Sequence, residues 1–163
     1  MDDLLLALTE APHYNILQWA KKTYLSQDLG PIKKMIHTGF STSRLDVKLV
    51  ISSHAPLLHK GLSNPKLYTY IPEDPPTLEK LTQRYAYWER RISPEQDEWW
   101  LNYTLFLKGT NQPVGTLQSG VNCESRHASI AYMILSNYQS QGFATEACRG
   151  FHKHLQQCYD VHQ

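Results

Sequence analysis

Several classes of protein are excluded by what this 163-residue chain lacks. Its three cysteines, Cys123, Cys148 and Cys158, are an odd number without C-x-x-C spacing, which argues against a disulfide framework or a thiolate zinc site and for reduced, packed thiols. Its eight histidines are scattered. His152 and His154 stand two apart in a helical pattern, so they point in different directions and do not make the i, i+4 pair of a helix metal site. A net charge of +1 with no basic stripe excludes a nucleic-acid footprint. No apolar run approaches a membrane span, and Met1-Asp2-Asp3 puts acid where a signal peptide carries positive charge, so a cytoplasmic location is expected. Neither G-x-G-x-x-G nor G-K-[ST] occurs, so the dinucleotide and Walker phosphate loops are absent.

What remains is an ordinary globular composition, 41% hydrophobic and 19% charged, at the length of one domain with a real core. Residues 1–40 stand apart as a helical extension: Leu4, Leu5, Leu6 and Leu8 suggest one short helix, and Ile16, Leu17, Trp19, Ala20 and Tyr24 a second. A packing or dimerisation role suits it better than a catalytic one. From residue 41 the pattern changes. A strand is predicted over 45–51, then a helix over 54–62 capped by Ser53 and closed by Ser63-Asn64-Pro65. A second helix over 78–91 is capped by Thr77, with Leu78, Leu81, Tyr85 and Trp88 on its apolar stripe. Alternating runs over 100–107 and 114–120 flank Lys108-Gly109-Thr110-Asn111-Gln112-Pro113 as a hairpin. A further strand over 128–135 feeds Gln139-Ser140-Gln141-Gly142-Phe143-Ala144-Thr145, which opens a helix reaching about residue 158.

That last junction is the feature with chemistry. The first turn of a helix leaves its amides unpaired and carries the positive end of the macrodipole, so it receives phosphates without needing a basic side chain. Gly142 and Ala144 let a ligand approach the backbone. By itself a glycine between strand and helix is as often only a tight turn.

The segment Gln139-x-x-Gly142-x-Ala144 resembles the coenzyme A pyrophosphate loop of the GNAT superfamily of N-acyltransferases. Thr42-Ser43-Arg44-Leu45, the stretch Leu62 to Pro72, and Ala128 to Ala147 resemble its RimJ/RimL branch in particular. The resemblance covers about residues 42–160. It implies an α+β (α/β) fold with a mixed, mostly antiparallel sheet flanked by helices, residues 41–163 forming a GNAT domain whose carboxyl-terminal strands are absent. It implies acetyl-CoA as co-substrate and a primary amine, of a protein N-terminus or a small molecule, as acceptor, without metal. Backbone amides of Met133, Ile134 and Leu135 would face the acetyl and pantetheine portion, and Gln139, Ser140, Gln141, Gly142, Phe143, Ala144 and Thr145 would hold the pyrophosphate. Gln139 stands where many relatives have Arg. Tyr68 and Tyr70 would contact the acceptor, although most of the chain's aromatics are expected in packing. Glu124 is the candidate general base with Glu98 behind it, each more often a solvated surface charge. Glu146, in the first helical turn, is expected to complement the dipole.

The family's next strand and helix, which open the pantetheine slot and often supply a tyrosine acid, do not follow. A shortened gene product, a chain cut short, or a fold completed by a second copy or partner chain would each leave the 128–135 strand as an unpaired edge. The competing reading is therefore a non-catalytic or incomplete acyl-CoA-binding domain.

Overall fold

The computed structural model describes residues 37–161. The helices expected before residue 37 lie outside the described residues. Among the described residues five antiparallel strands form one sheet in sequential order: β1 (Phe40–Ser41), β2 (Leu45–Leu49), β3 (Glu98–Leu107), β4 (Pro113–Asn122) and β5 (Ala131–Ile134). Helices α1 (Ala55–Leu62) and α2 (Leu78–Trp88) lie between β2 and β3 in the chain, and α3 (Phe143–Tyr159) follows β5.

The central strand explains the layering. In Glu-Trp-Trp-Leu-Asn-Tyr-Thr-Leu-Phe-Leu, side chains alternate between two covered faces, so β3 is apolar almost throughout rather than amphipathic. Trp99, Leu101, Tyr103 and Leu105 join a core with Phe143, Ala147, Phe151, Leu155 and Tyr159 of α3. Trp100 joins a second core with Leu58, Leu62, Leu81, Tyr85, Trp88 and Leu135 beneath α1 and α2. Each fully buried Leu or Phe in these layers stabilises the fold by about 2 kcal/mol.

Most predicted elements recur with shifted ends. Thr77 caps α2, its Oγ1 accepting from Lys80 N at 3.2 Å, as expected. Ser53 does not cap α1. It lies inside a 3-10 turn, Ser52–His54, and the helix starts after His54 with Pro56 in its first turn, where there is no amide to receive a cap. Helix α2 stops at Trp88, short of the predicted residue 91, because the chain turns left-handed at Arg91 (φ 62°) and the Arg91 Nη2 donates to Val50 O. Leu81, Tyr85 and Trp88 are buried but Leu78 is 41% exposed, so the stripe begins one turn later than predicted. Strand β5 is half its predicted length, since Ala128 makes only an isolated bridge to Val121. Its register, Gly115↔Ile134, Thr116↔Met133, Leu117↔Tyr132 and Gln118↔Ala131, leaves the other edge unpaired among the described residues.

Candidate functional site

The path from β5 into α3 passes through a 3-10 turn, Ser136–Tyr138, and then two left-handed residues, Ser140 (φ 59°) and Gly142 (φ 80°). Glycine adopts such a conformation freely, and Ser140 does so at a cost. The first intrahelical bond is Glu146 N to Gly142 O at 3.0 Å, and no side chain among the described residues caps α3. Among the described residues the amides of Phe143, Ala144 and Thr145 therefore begin the helix unpaired, at the positive end of its dipole.

Three side chains hold the loop through backbone carbonyls, two in the loop and one at the end of β5. Gln139 Nε2 donates to Ile134 O at 3.0 Å, Gln141 Nε2 to Asn137 O at 2.9 Å, and Arg44 Nη1 to Gln141 O at 3.1 Å. Gln139 is thus a brace across the strand end, with its amide group committed to the protein. Tying carbonyls in place while leaving amides open is how a backbone becomes a rigid donor array.

The three strand residues expected at the pantetheine differ in placement. Leu135 N donates to Val114 O, so that amide is engaged in the sheet rather than open. Met133 and Leu135 pack toward α1 and α2, and Ile134 is buried toward α3. The alternation of an antiparallel ladder then puts the Ile134 amide on the unpaired edge, on the side where its carbonyl receives Gln139.

Glu146 lies in the first turn of α3, as expected of a dipole partner, and makes further contacts there. Its Oε1 accepts from Thr42 Oγ1 (2.6 Å), Ser43 Oγ (2.9 Å) and Arg44 N (2.8 Å), and its Oε2 from Arg44 Nε (2.6 Å). Burial alone would raise this carboxyl; the hydrogen bonds from Thr42, Arg44 and Ser43 outweigh it and bring the pKa down to about 2. Sequence reasoning missed Thr42, Ser43 and Arg44 as site residues. The only signal was the Thr42-x-Arg44-Leu45 pattern, read as the start of a strand.

The segment after α1, expected to border the acceptor, is tied to the loop by Asn64, whose Nδ2 donates to Ser136 Oγ at 2.8 Å. Tyr68 ends the 3-10 turn Pro65–Tyr68 and is half-buried, its hydroxyl pKa raised by burial against the opposing field of Arg84. Tyr70 is 95% exposed. On the face beneath α1, Asn102, Thr104 and Thr116 are buried, and Asn102 Nδ2 has no hydrogen-bond partner among the described residues. That donor was invisible in a strand read for its apolar residues.

The carboxylates are less well placed. Glu124 is exposed in a turn closed by Asn122 Oδ1, at the end of β5 away from the loop, on the order of 15–20 Å along the strand. Glu98 Oε2 accepts from Trp100 Nε1 at 3.1 Å at the start of β3. Cys123 and Cys148 are partly buried, and burial pushes the Cys123 thiol up to about 11, which leaves it protonated and inert at neutral pH. Cys158 is exposed rather than packed as expected. Among the described residues no group of His, Cys, Asp and Glu could hold a metal ion, and no helix is long and apolar enough to cross a membrane.

Acid should loosen this fold in two stages. Burial, with the Arg91 charge, lowers His37 from 6.5 to about 4, so between those values the unfolded chain binds the extra proton and stability falls as pH falls. Glu146 repeats this between 4.5 and about 2. Melting curves from pH 7 to pH 2.5 should show Tm falling through both windows. Glu146→Gln should lower Tm by several degrees at pH 7, since hydrogen bonds to a charged group contribute about 1–3 kcal/mol. That difference should close as pH approaches 2; a difference that persists there would refute the assignment.

Similarity over most of the chain decides the family. Residues 44–163 match the family described as "Acetyltransferase (GNAT) domain". The chain is a GNAT-family protein. Among solved structures, a GNAT-family acetyltransferase from Bacillus anthracis is 19% identical with a TM-score of 0.63, over 77% of this chain and 70% of that one. A protein from T. thermophilus described as a putative acetyltransferase is 13% identical with a TM-score of 0.58, over 79% and 65%. A nucleotide-linked sugar GNAT in its apo form is 16% identical with a TM-score of 0.56, over 72% and 65%. No curated protein matches in sequence. At such identities the structures establish a shared GNAT fold, and this chain spans about two thirds of their length.

Proposed function

We propose that this GNAT domain is an acetyl-CoA-dependent N-acetyltransferase of the RimJ/RimL type, acting on a primary amine of a protein N-terminus or a small molecule. The observation that carries the reading is the uncapped start of α3, where three amides stand open behind a loop whose carbonyls are tied back. These features fit a pyrophosphate. The amides of Gln141, Gly142, Phe143, Ala144 and Thr145 bind it, with Ser140 and Gln139 shaping the turn. The open edge at Ile134 takes the pantetheine arm, flanked by Met133 and Leu135, and Tyr68 and Tyr70 border the acceptor.

Acetyl-CoA supplies the activated acyl group as a thioester. The chain's contribution is to bind, orient and polarise. The amine nitrogen forms a bond to the acetyl carbon, the carbon–sulfur bond breaks, the thiolate departs with the electron pair, and the amine proton passes to solvent. Glu124 as general base would need a bridging path from its exposed turn.

One observation favours a second reading, a non-catalytic acyl-CoA-binding domain: no carboxylate lies on β5. Calorimetric titration with acetyl-CoA tests the cofactor assignment, and incubation with amino-terminal peptides and small amines, read by mass, tests turnover. Saturable binding with a product about 42 Da heavier, one acetyl group in place of a hydrogen, supports the enzyme. Binding without product supports the second reading, and no binding by folded protein refutes both.

A further inference from the structure

Arg44 makes more contacts with the loop than a surface residue at a strand start has reason to make. Its backbone N and Nε both donate to Glu146, in the first turn of α3. Its Nη1 donates to Gln141 O in the loop, and its guanidinium lies 4.3 Å from the centroid of the Phe143 ring, the first residue of the helix. Its Nη2 stands 3.6 Å from the position a Cβ on Gly142 would occupy. One side chain thereby touches the loop, its left-handed hinge and the first and fourth residues of α3.

We infer that Arg44 is the positioning residue of this phosphate loop, fixing the open amides by holding the Gln141 carbonyl and the Glu146 carboxylate in one planar fork. This rests on the proposed acetyl-CoA reading and adds to it a residue from the other end of the domain. The geometry suits a guanidinium and not an ammonium. Two donors at fixed separation reach two acceptors while the flat face covers an aromatic ring, and a lysine supplies a point charge without that fork. Glu146 largely neutralises the guanidinium, so the effect of Arg44 on a bound anion is mainly to hold the donors in register. The braces from Gln139 and Gln141 are local, spanning five and four residues, whereas Arg44 reaches across 97 residues to the loop and 102 to the helix. It alone among these braces fixes the loop relative to the sheet's opposite side.

The test compares wild type, Arg44→Ala, Arg44→Lys and an exposed-charge control, Lys80→Ala, with two probes: acetyl-CoA, and S-acetylpantetheine, which has the same thioester arm without the pyrophosphate. Arg44→Ala should weaken acetyl-CoA binding about tenfold or more, the scale of one lost charge-assisted contact, and leave S-acetylpantetheine binding unchanged. Arg44→Lys should recover little of the loss, and Lys80→Ala should match wild type. Full recovery by lysine would overturn the inference in favour of simple charge, and an equal loss for both probes would overturn it in favour of a general stability role.

Amide hydrogen exchange over residues 139–145 provides a readout independent of the ligand. Faster exchange confined to that stretch in Arg44→Ala supports positioning, and rates equal to wild type overturn it. If wild type binds no acetyl-CoA, the cofactor reading fails while the exchange result still decides whether Arg44 holds the loop.

Discussion

Gly115→Ala is expected to destabilise the protein by about 3 kcal/mol and to loosen the loop that leads into α3, although the substitution adds a single methyl. Gly115 sits in β4 opposite Ile134, and a Cβ there would collide with the Met133 carbonyl oxygen, with Ile134 Cα at 3.1 Å and Cδ1 at 3.2 Å behind it. Strand β4 cannot retreat, because its other edge is paired with β3, Leu105 opposite Gly115. Strand β5 has only four residues to hold it and must give way. Since Ile134 O anchors the Gln139 brace, the displacement travels into the loop. Denaturant titration should show a lower midpoint, and exchange should rise at residues 131–142. A wild-type midpoint would show that the two strands have room for the methyl. Gly109→Ala serves as a contrast: the position has a left-handed φ of 72° and nothing among the described residues within 4 Å of an added Cβ, so it should cost only about 1 kcal/mol of backbone strain and leave the loop alone.

The second large effect is on binding and spares the fold. Gly142→Asp should reduce acetyl-CoA affinity at least a hundredfold while moving Tm by no more than a few degrees. Position 142 has room, its nearest neighbour being Arg44 Nη2 at 3.6 Å, and aspartate is among the residues that tolerate a left-handed backbone best. The damage is electrostatic. A carboxylate at the mouth of α3 occupies the donors and repels a phosphate, at roughly 4 kcal/mol for unit charges about 4 Å apart near a protein surface, ample for a hundredfold loss. Calorimetry beside a melting curve checks both halves. Retained affinity would mean that the pyrophosphate binds elsewhere, and a collapse in Tm would mean that the glycine is needed for folding rather than access.

Local chemistry was legible in the sequence and long-range chemistry was not. The Thr77 cap, the hairpin at 108–113 and the strand–loop–helix order around Gly142 each depend on residues a few positions apart, and each stands in the structure. Ser53 misled because capping preference assumes a free first-turn amide, and Pro56 with the preceding 3-10 turn removes that condition. Leu78 misled because helical spacing predicts a face but not where along the helix its neighbour begins. Gln139, a lost charge by comparison with arginine, is a brace in the structure, since side-chain donors to a carbonyl five residues back leave no mark in composition. The Arg44–Glu146 contact, 102 residues apart, could be found only by folding the chain.

That separation also bears on the order in which the molecule assembles. The five strands pair only with their immediate successors, so most of the sheet closes through short loops, apart from the insertion of α1 and α2. Loop closure is cheap for such a meander and folding is correspondingly quick. The bonds from Thr42, Ser43 and Arg44 to Glu146 close one of the longest circuits in the domain. On a ribosome, the sheet could therefore form strand by strand while the first turn of α3 was still unsynthesised. The amides at the start of α3 would reach their final arrangement in the closing stage of folding, when the β1–β2 corner meets a helix made about a hundred residues later.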